Sequence, residues 1–261
     1  MHLKVKFGCG YSALNTARSA LSSCVKLDDE HKDLGTHPDV CRFLTGVYQE
    51  TPAKPRYNKI WDVSLVLRKL KDWSPGKHLS TKILTCKLAT LIMLVTGQRV
   101  QTLKALNLDN MHISKNQVSF MITEKLKHFR PGNNSMTVVL SKYRQDPRIC
   151  VLNYLYQYLK RTEQKRSSSQ LFVSLQKPHD KVTTDTISRW IKYTLSKSGV
   201  DTNVYHAHSV RSASSSAAVR SGVSLDEIMN KCGWSNSQTF ARWYNKPIIN
   251  VNSFATGVLN T

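Results

Sequence analysis

A histidine and an arginine three residues apart, His208 and Arg211, open a Ser- and Ala-rich run in the C-terminal third of the chain. Spacing of three puts both side chains on one side of a helix, and at a helix start the free backbone N–H groups add a preference for an anion. Gly233-Trp234 follows, and Tyr244 stands ten residues beyond Trp234 in Thr239-Phe240-Ala241-Arg242-Trp243-Tyr244-Asn245. A phenol is a nucleophile, the planar fork of an arginine binds two phosphate oxygens at once, and a histidine donates a hydrogen bond or accepts a proton. These types suit phosphodiester transfer without a metal, which needs a nucleophile, an acid for the leaving 5′ oxygen and positive donors around a phosphorane-like transition state. Each residue also has a purely structural reading. Tyrosines commonly pack their rings and wet their hydroxyls, and Trp234 could fill core after a helix stop. The order of the set is what points to chemistry.

The elements that must position these residues are mostly helices. The run 208–221 is rich in small side chains that let a helix approach its neighbours closely, and Gly222 lies just past its end. A capping box at Ser224-Leu225-Asp226-Glu227 starts the next helix, which Gly233 stops. Upstream, residues 79–96 are apolar on nearly all faces, as in a helix buried in the middle of a core, and stop at Gly97 with Arg99 close behind. Val118, Phe120 and Ile122 alternate with less apolar neighbours and Met136–Leu140 is a second β-prone run, so a hairpin is expected, joined by a loop carrying Lys125, Lys127, His128 and Arg130. Amphipathic stripes at 149–159 and 187–195 predict two further helices, with Tyr154, Tyr156 and Tyr158 as packing or surface residues. Near the N-terminus, Leu14, Ala17, Ala20, Leu21 and Cys24 form a slight helical stripe, read as part of a small helical domain. The Pro-rich, basic stretch Thr51–Arg56 reads as a linker, which places a boundary near residue 57.

Composition narrows the partner. Thirty-eight Lys and Arg against seventeen Asp and Glu give a net charge of +21 over 261 residues, too large for a balanced surface, so a polyanion is expected. The basic residues are spread from Lys4 to Lys246 rather than gathered on one amphipathic helix, which favours nucleic acid over a membrane surface. The longest apolar stretch, around Leu91–Val95, is far short of a bilayer core of roughly 30 Å. Met1-His2-Leu3-Lys4 does not begin a secretory signal, and the six scattered cysteines read as buried thiols of an intracellular protein. No paired His or Cys spacing suggests a metal, and no Gly-rich phosphate loop suggests nucleotide hydrolysis, so neither a metal nor a cofactor is expected.

These residues, in this order, resemble the tyrosine recombinase, or phage integrase-like, family. Thr96-Gly97-Gln98-Arg99 looks like its first-arginine box, the basic loop like its lysine hairpin, and His208 to Arg211 like its His-x-x-Arg box. Gly233-Trp234 occupies the place of its Gly-His, and Tyr244 that of its nucleophile. The resemblance covers about residues 60–250. It implies a mainly α fold with a small β-hairpin or sheet (α+β), a catalytic domain over 57–261, and a partial helical, core-binding-like DNA-binding domain with its linker over 1–56. It further implies that Tyr244 forms a 3′-phosphotyrosyl link, that Arg99 and Arg211 clamp the phosphate, that His208 and Trp234 assist, and that a hairpin lysine, Lys127 in preference to Lys125, protonates the leaving oxygen. The implied partner is duplex DNA bound by a homo-tetramer in the nucleus. Within the family, Trp234, the Thr239–Arg242 stretch and Trp61-Asp62-Val63 look most like recombinases of eukaryotic mobile elements such as DIRS-type retrotransposons.

Three departures support an alternative, a catalytically decayed or domesticated DNA-binding protein. Thr102 stands where the family commonly has an acidic residue, the interval from Trp234 to Tyr244 is one residue longer than usual, and the first domain is short. A type IB topoisomerase shares the chemistry but has additional domains for which this chain has no counterpart.

Overall fold

A computed structural model describes residues 2–25, 33–52, 56–124, 126, 136–234 and 237–247, apart from the side chain of Trp243. The chain divides into two units, Met1–Arg56 and Tyr57–Thr261. The first contains α1 (His2–Phe7), α2 (Tyr11–Cys24) and α3 (Pro38–Glu50). Its small core is Leu14, Leu44 and Val47, with Tyr11, Val40 and Phe43 packed against it. The apolar stripe expected on α2 packs at Leu14 and partly at Ala17, but not beyond. Leu21 is 50% exposed, and Ala20 and Cys24 are exposed as well. From Leu14 the packed face runs on through Arg18 and Ser22, because Gly35 lies so close that a Cβ there would meet the Ser22 hydroxyl, and the Gly35 carbonyl accepts from Arg18. The cysteines divide accordingly. Cys86, Cys150 and Cys232 are buried, but Cys9 and Cys41 are half-buried and Cys24, on the last turn of α2, is exposed, which corrects the expectation of six buried thiols.

The second unit is built on α5 (Thr81–Thr96), which follows α4 (Val63–Asp72) and precedes α6 (Val100–Lys104). Every residue of α5 from Leu84 to Leu94 is buried, as its all-round apolar pattern requires. Lys87 is the exception in type. Its Nζ donates to the carbonyls of Leu70 and Trp73 at 2.5 and 2.6 Å and lies 3.6 Å from the centre of the Tyr154 ring, so it closes the end of α4. Burial pushes this ammonium down to about 7, with Asp146 pulling the other way. Around α5 pack α7 (Val151–Thr162) and α8 (Thr184–Lys197), contributing Leu155, Tyr158, Ile187 and Ile191 to the core. Tyr154 and Tyr158 are buried and Tyr156 is exposed. Between α6 and α7 an antiparallel sheet runs in the order β1 (Met111–Ile113), β2 (Gln117–Ile122), β3 (Met136–Ser141), with Phe120 opposite Val138. The expected hairpin is β2 and β3. The third strand, β1, was not read from the sequence, because three residues carry too little alternation to stand out. No described helix is long and apolar enough to cross a membrane.

The last third holds α9 (Ser209–Arg220), α10 (Leu225–Cys232) and α11 (Ser237–Trp243). Ser224 caps α10 by accepting from the Glu227 amide at 3.3 Å, and Gly233 closes it in a left-handed conformation with φ 68°. Ile228, Cys232, Trp234 and Phe240 then form a small core of their own, with Tyr244 packed on it.

Candidate active site

Three helix junctions meet around Arg211. Its position on the first turn of α9 is fixed from below, where the Trp61 indole donates to the Ser209 hydroxyl at 2.9 Å and the Tyr205 hydroxyl donates to the Lys59 carbonyl at 3.1 Å. The guanidinium donates through one terminal nitrogen to the Gly97 carbonyl and through the other to the Cys232 carbonyl at 2.8 Å. It therefore joins the end of α5 to the end of α10, two places where helix-terminal carbonyls need outside donors. Trp234 lies beneath it, with the guanidinium carbon 4.0 Å from the ring centre. Gly97 makes the meeting possible. It takes φ 60°, and a Cβ there would stand 2.4 Å from the Cys232 sulfur. Gly97→Ala is expected to lower Tm by roughly 2–8 °C, from a left-handed penalty of about 1–2 kcal/mol with the collision adding to it, in a thermal melt.

Of the residues singled out from sequence, Tyr244 is half-buried with its ring centre 4.7 Å from that of Trp234 and 6.0 Å from that of His208. The Arg211 guanidinium lies 5.5 Å from the Tyr244 ring centre. His208 is exposed and stands as the residue before α9, in helical backbone geometry. Arg99 is half-buried at the start of α6, close enough that its charge acts on Arg211. Burial first, then Arg99, brings the Arg211 guanidinium down to about 10, while Cys232 and a hydrogen bond with Tyr244 act against them. Two cations are thus held together at the cost of mutual repulsion, an arrangement that an anion between them would relieve. Lys127 and its alternative Lys125 lie outside the described residues. Thr102, standing where an acid was expected, is buried and pairs with Gln98 at 3.4 Å, and Gln98 donates to the Lys231 carbonyl at 2.6 Å. That link holds the residue before Arg99 on the last turn of α10.

Two buried donors in this cluster have no hydrogen-bond partner among the described residues, Arg211 Nε and Trp234 Nε1. Leaving a donor so costs about 1–3 kcal/mol. Arg211 is wholly buried, with the rings of Trp234 and Tyr244 against its guanidinium. No residue type marks the carbonyls of Gly97 and Cys232 as the supports of Arg211, because a backbone acceptor has no residue type. Nor does residue type single out Ser212 and Ser216, which meet the carbonyl of Tyr244 and lie hidden among the five serines of α9.

The fold has counterparts among solved structures. XerA recombinase aligns with a TM-score of 0.54 at 16% identity, over 96% of this chain and 82% of that one. XerH site-specific recombinase bound to a palindromic difH substrate, in a post-cleavage complex, aligns with a TM-score of 0.60 at 14% identity, over 99% and 70%. A lambda integrase (75-356) dimer bound to a COC′ core site gives 0.50 at 13%, over 91% and 80%. No curated protein sequence matches the chain. The family model described as the phage integrase family matches residues 72–248, a span that takes in α5, the sheet and every residue of the Arg211 cluster. On that match, the chain belongs to the phage integrase family.

Proposed function

We propose that this chain cleaves and rejoins duplex DNA at specific sites through a 3′-phosphotyrosyl intermediate on Tyr244. The observation that carries the reading is the pair of buried donors with no partner among the described residues, Arg211 Nε and Trp234 Nε1, beside Arg99 and the phenol of Tyr244. A phosphate supplies the acceptors these donors need and the charge that two neighbouring cations attract. In the step itself the Tyr244 oxygen attacks phosphorus and its proton passes to His208. The bond from phosphorus to O5′ breaks with its electron pair on oxygen, and Lys127 supplies the proton that makes the 5′-hydroxyl. Arg99, Arg211 and Trp234 hold the non-bridging oxygens. The reverse step, with a 5′-hydroxyl from another strand, rejoins the DNA and needs no ATP. The test is incubation with a suicide duplex whose scissile bond is a 5′-bridging phosphorothiolate. A covalent adduct that maps to Tyr244 by peptide mass supports the reading, and tight binding without adduct favours a DNA-binding protein that no longer cuts.

The net charge of +21 makes phosphate contact the main source of affinity. If about six phosphates are neutralised, the dissociation constant should rise on the order of 10³-fold between 50 and 200 mM salt, read by fluorescence anisotropy. A slope below about two phosphates would remove the charge argument. Further parts of the reading rest on resemblance. We assign residues 1–56 to a partial core-binding domain, the working form to a homo-tetramer on two duplexes, the source to a DIRS-type mobile element and the site of action to the nucleus. Particle size on DNA by analytical ultracentrifugation tests the assembly, and imaging of a tagged chain tests the compartment.

A further inference from the structure

We propose that Ser212 and Ser216 are positioning residues that set where the phenol of Tyr244 meets the phosphate, by holding the backbone of Tyr244 itself. The inference rests on Tyr244 being the nucleophile. α11 ends at Trp243, so the carbonyl of Tyr244 lies past the helix, where a carbonyl needs an outside donor. Two hydroxyls from α9 take that place, Ser212 Oγ at 2.9 Å and Ser216 Oγ at 2.8 Å. Ser216 also accepts from the Lys246 amide at 2.9 Å, using a lone pair while its proton goes to Tyr244. The two serines are four residues apart on one face of α9 and are 3% and 0% exposed.

The neighbouring serines spend their hydroxyls differently. Ser214 and Ser215 donate back to the Arg211 carbonyl within α9, at 3.2 and 2.8 Å, which is the ordinary use of a helical serine. Among the described residues, Ser212 and Ser216 are the serines of α9 that reach across to the exit of α11. Beyond them the strap continues. Lys246 Nζ donates to the Arg242 carbonyl at 2.5 Å, and the Pro247 carbonyl accepts from the Ile60 amide at 2.9 Å.

The consequence is a short mechanical path. Arg211, which would hold the phosphate, and the two serines, which hold the nucleophile's backbone, sit within six residues of one helix. The separation of nucleophile and clamp is then set by α9 and not by the 32 residues of chain between Arg211 and Tyr244. The two serines hold the backbone of Tyr244 and make no bond to its ring. Neither serine touches the reacting atoms, so both act through Tyr244.

The test uses the full chain and two suicide duplexes, one with an ordinary scissile phosphodiester and one with a 5′-bridging phosphorothiolate, which needs no acid for its leaving group. Ser212→Ala/Ser216→Ala should lower the single-turnover rate of adduct formation roughly 10- to 100-fold on both duplexes, the scale of a small misplacement of reacting groups. DNA affinity should stay within about threefold, since positioning changes the rate and not the ground-state binding. Ser216→Ala should cost more than Ser212→Ala, because it also frees the Lys246 amide, and Ser215→Ala should cost little. By hydrogen exchange, the segment 240–247 should lose protection in the double variant while 209–215 keeps it. An unchanged rate, recovery on the phosphorothiolate duplex, or equal loss of protection throughout α9 would overturn the proposal. Absence of adduct from the wild-type chain would instead overturn the nucleophile reading, with the exchange data still showing whether the strap exists.

Discussion

Tyr244→Phe is expected to abolish the covalent protein–DNA adduct, a loss of at least about 10⁴-fold, while folding and DNA affinity stay nearly unchanged. The substitution removes one oxygen and keeps the ring. Contacts with Trp234 at 4.7 Å and His208 at 6.0 Å survive, as do the serine bonds to the backbone carbonyl. What goes is the nucleophilic oxygen itself. Three other tyrosines of the second unit's core have their hydroxyls committed elsewhere. Tyr154 and Tyr158 are buried with their hydroxyls committed to Ser74 and the Val173 amide, and the Tyr205 hydroxyl is bound to the Lys59 carbonyl. A denaturing gel of the suicide-substrate reaction reads the adduct, and a binding titration on the same variant separates lost chemistry from lost affinity. An adduct that persists at wild-type rate in Tyr244→Phe would remove Tyr244 from the mechanism and with it the whole assignment.

How far the chain can be read without coordinates differs from element to element, for physical reasons. The central helix α5 is legible because burial on all sides demands apolar residues on all sides, and its end is legible because Gly97 is the cheapest residue in a left-handed turn. The capped start and glycine stop of α10 are legible for similar reasons. The helical spacing of Val66 and Leu70 was available to find α4, whereas β1 has only three residues and no pattern. Lys87 is invisible in principle, since a lysine in an apolar helix gives no sign that two carbonyls of another helix await it. The α2 stripe holds at Leu14 and fails toward Cys24, where a slight run of Ala and Leu does not outweigh a close glycine contact at Ser22. At the site, residue types and order pointed to the cluster around Arg211. The parts that hold that cluster are backbone carbonyls and two serines within a serine-rich helix, whose roles depend on where the chain goes and not on what it is made of.

Arg211→Lys is expected to lower adduct formation on the order of 10²- to 10³-fold, about the loss of an oriented donor to the transition state. A lysine keeps the charge but not the plane. The guanidinium spends two terminal nitrogens on the Gly97 and Cys232 carbonyls, stacks on Trp234 at 4.0 Å and still has Nε to offer. An ammonium on a flexible stem can satisfy one or two of those carbonyls, but it cannot do so and present a fixed donor to a phosphate. Although burial and Arg99 bring the Arg211 guanidinium down to about 10, it stays charged at pH 7, so the clamp is expected to work through the neutral range. Arg211→Ala should behave differently from the lysine variant. It leaves two buried carbonyls unpaired, at about 1–3 kcal/mol each, and a void between α5, α9 and α10, so it should lose thermal stability as well as activity. The contrast is the test. Lysine should retain most of the wild-type Tm with little adduct, and alanine should lose both. If lysine supports adduct formation at the wild-type rate, Arg211 serves the fold alone, as a cross-brace between helix ends, and the phosphate must be held elsewhere.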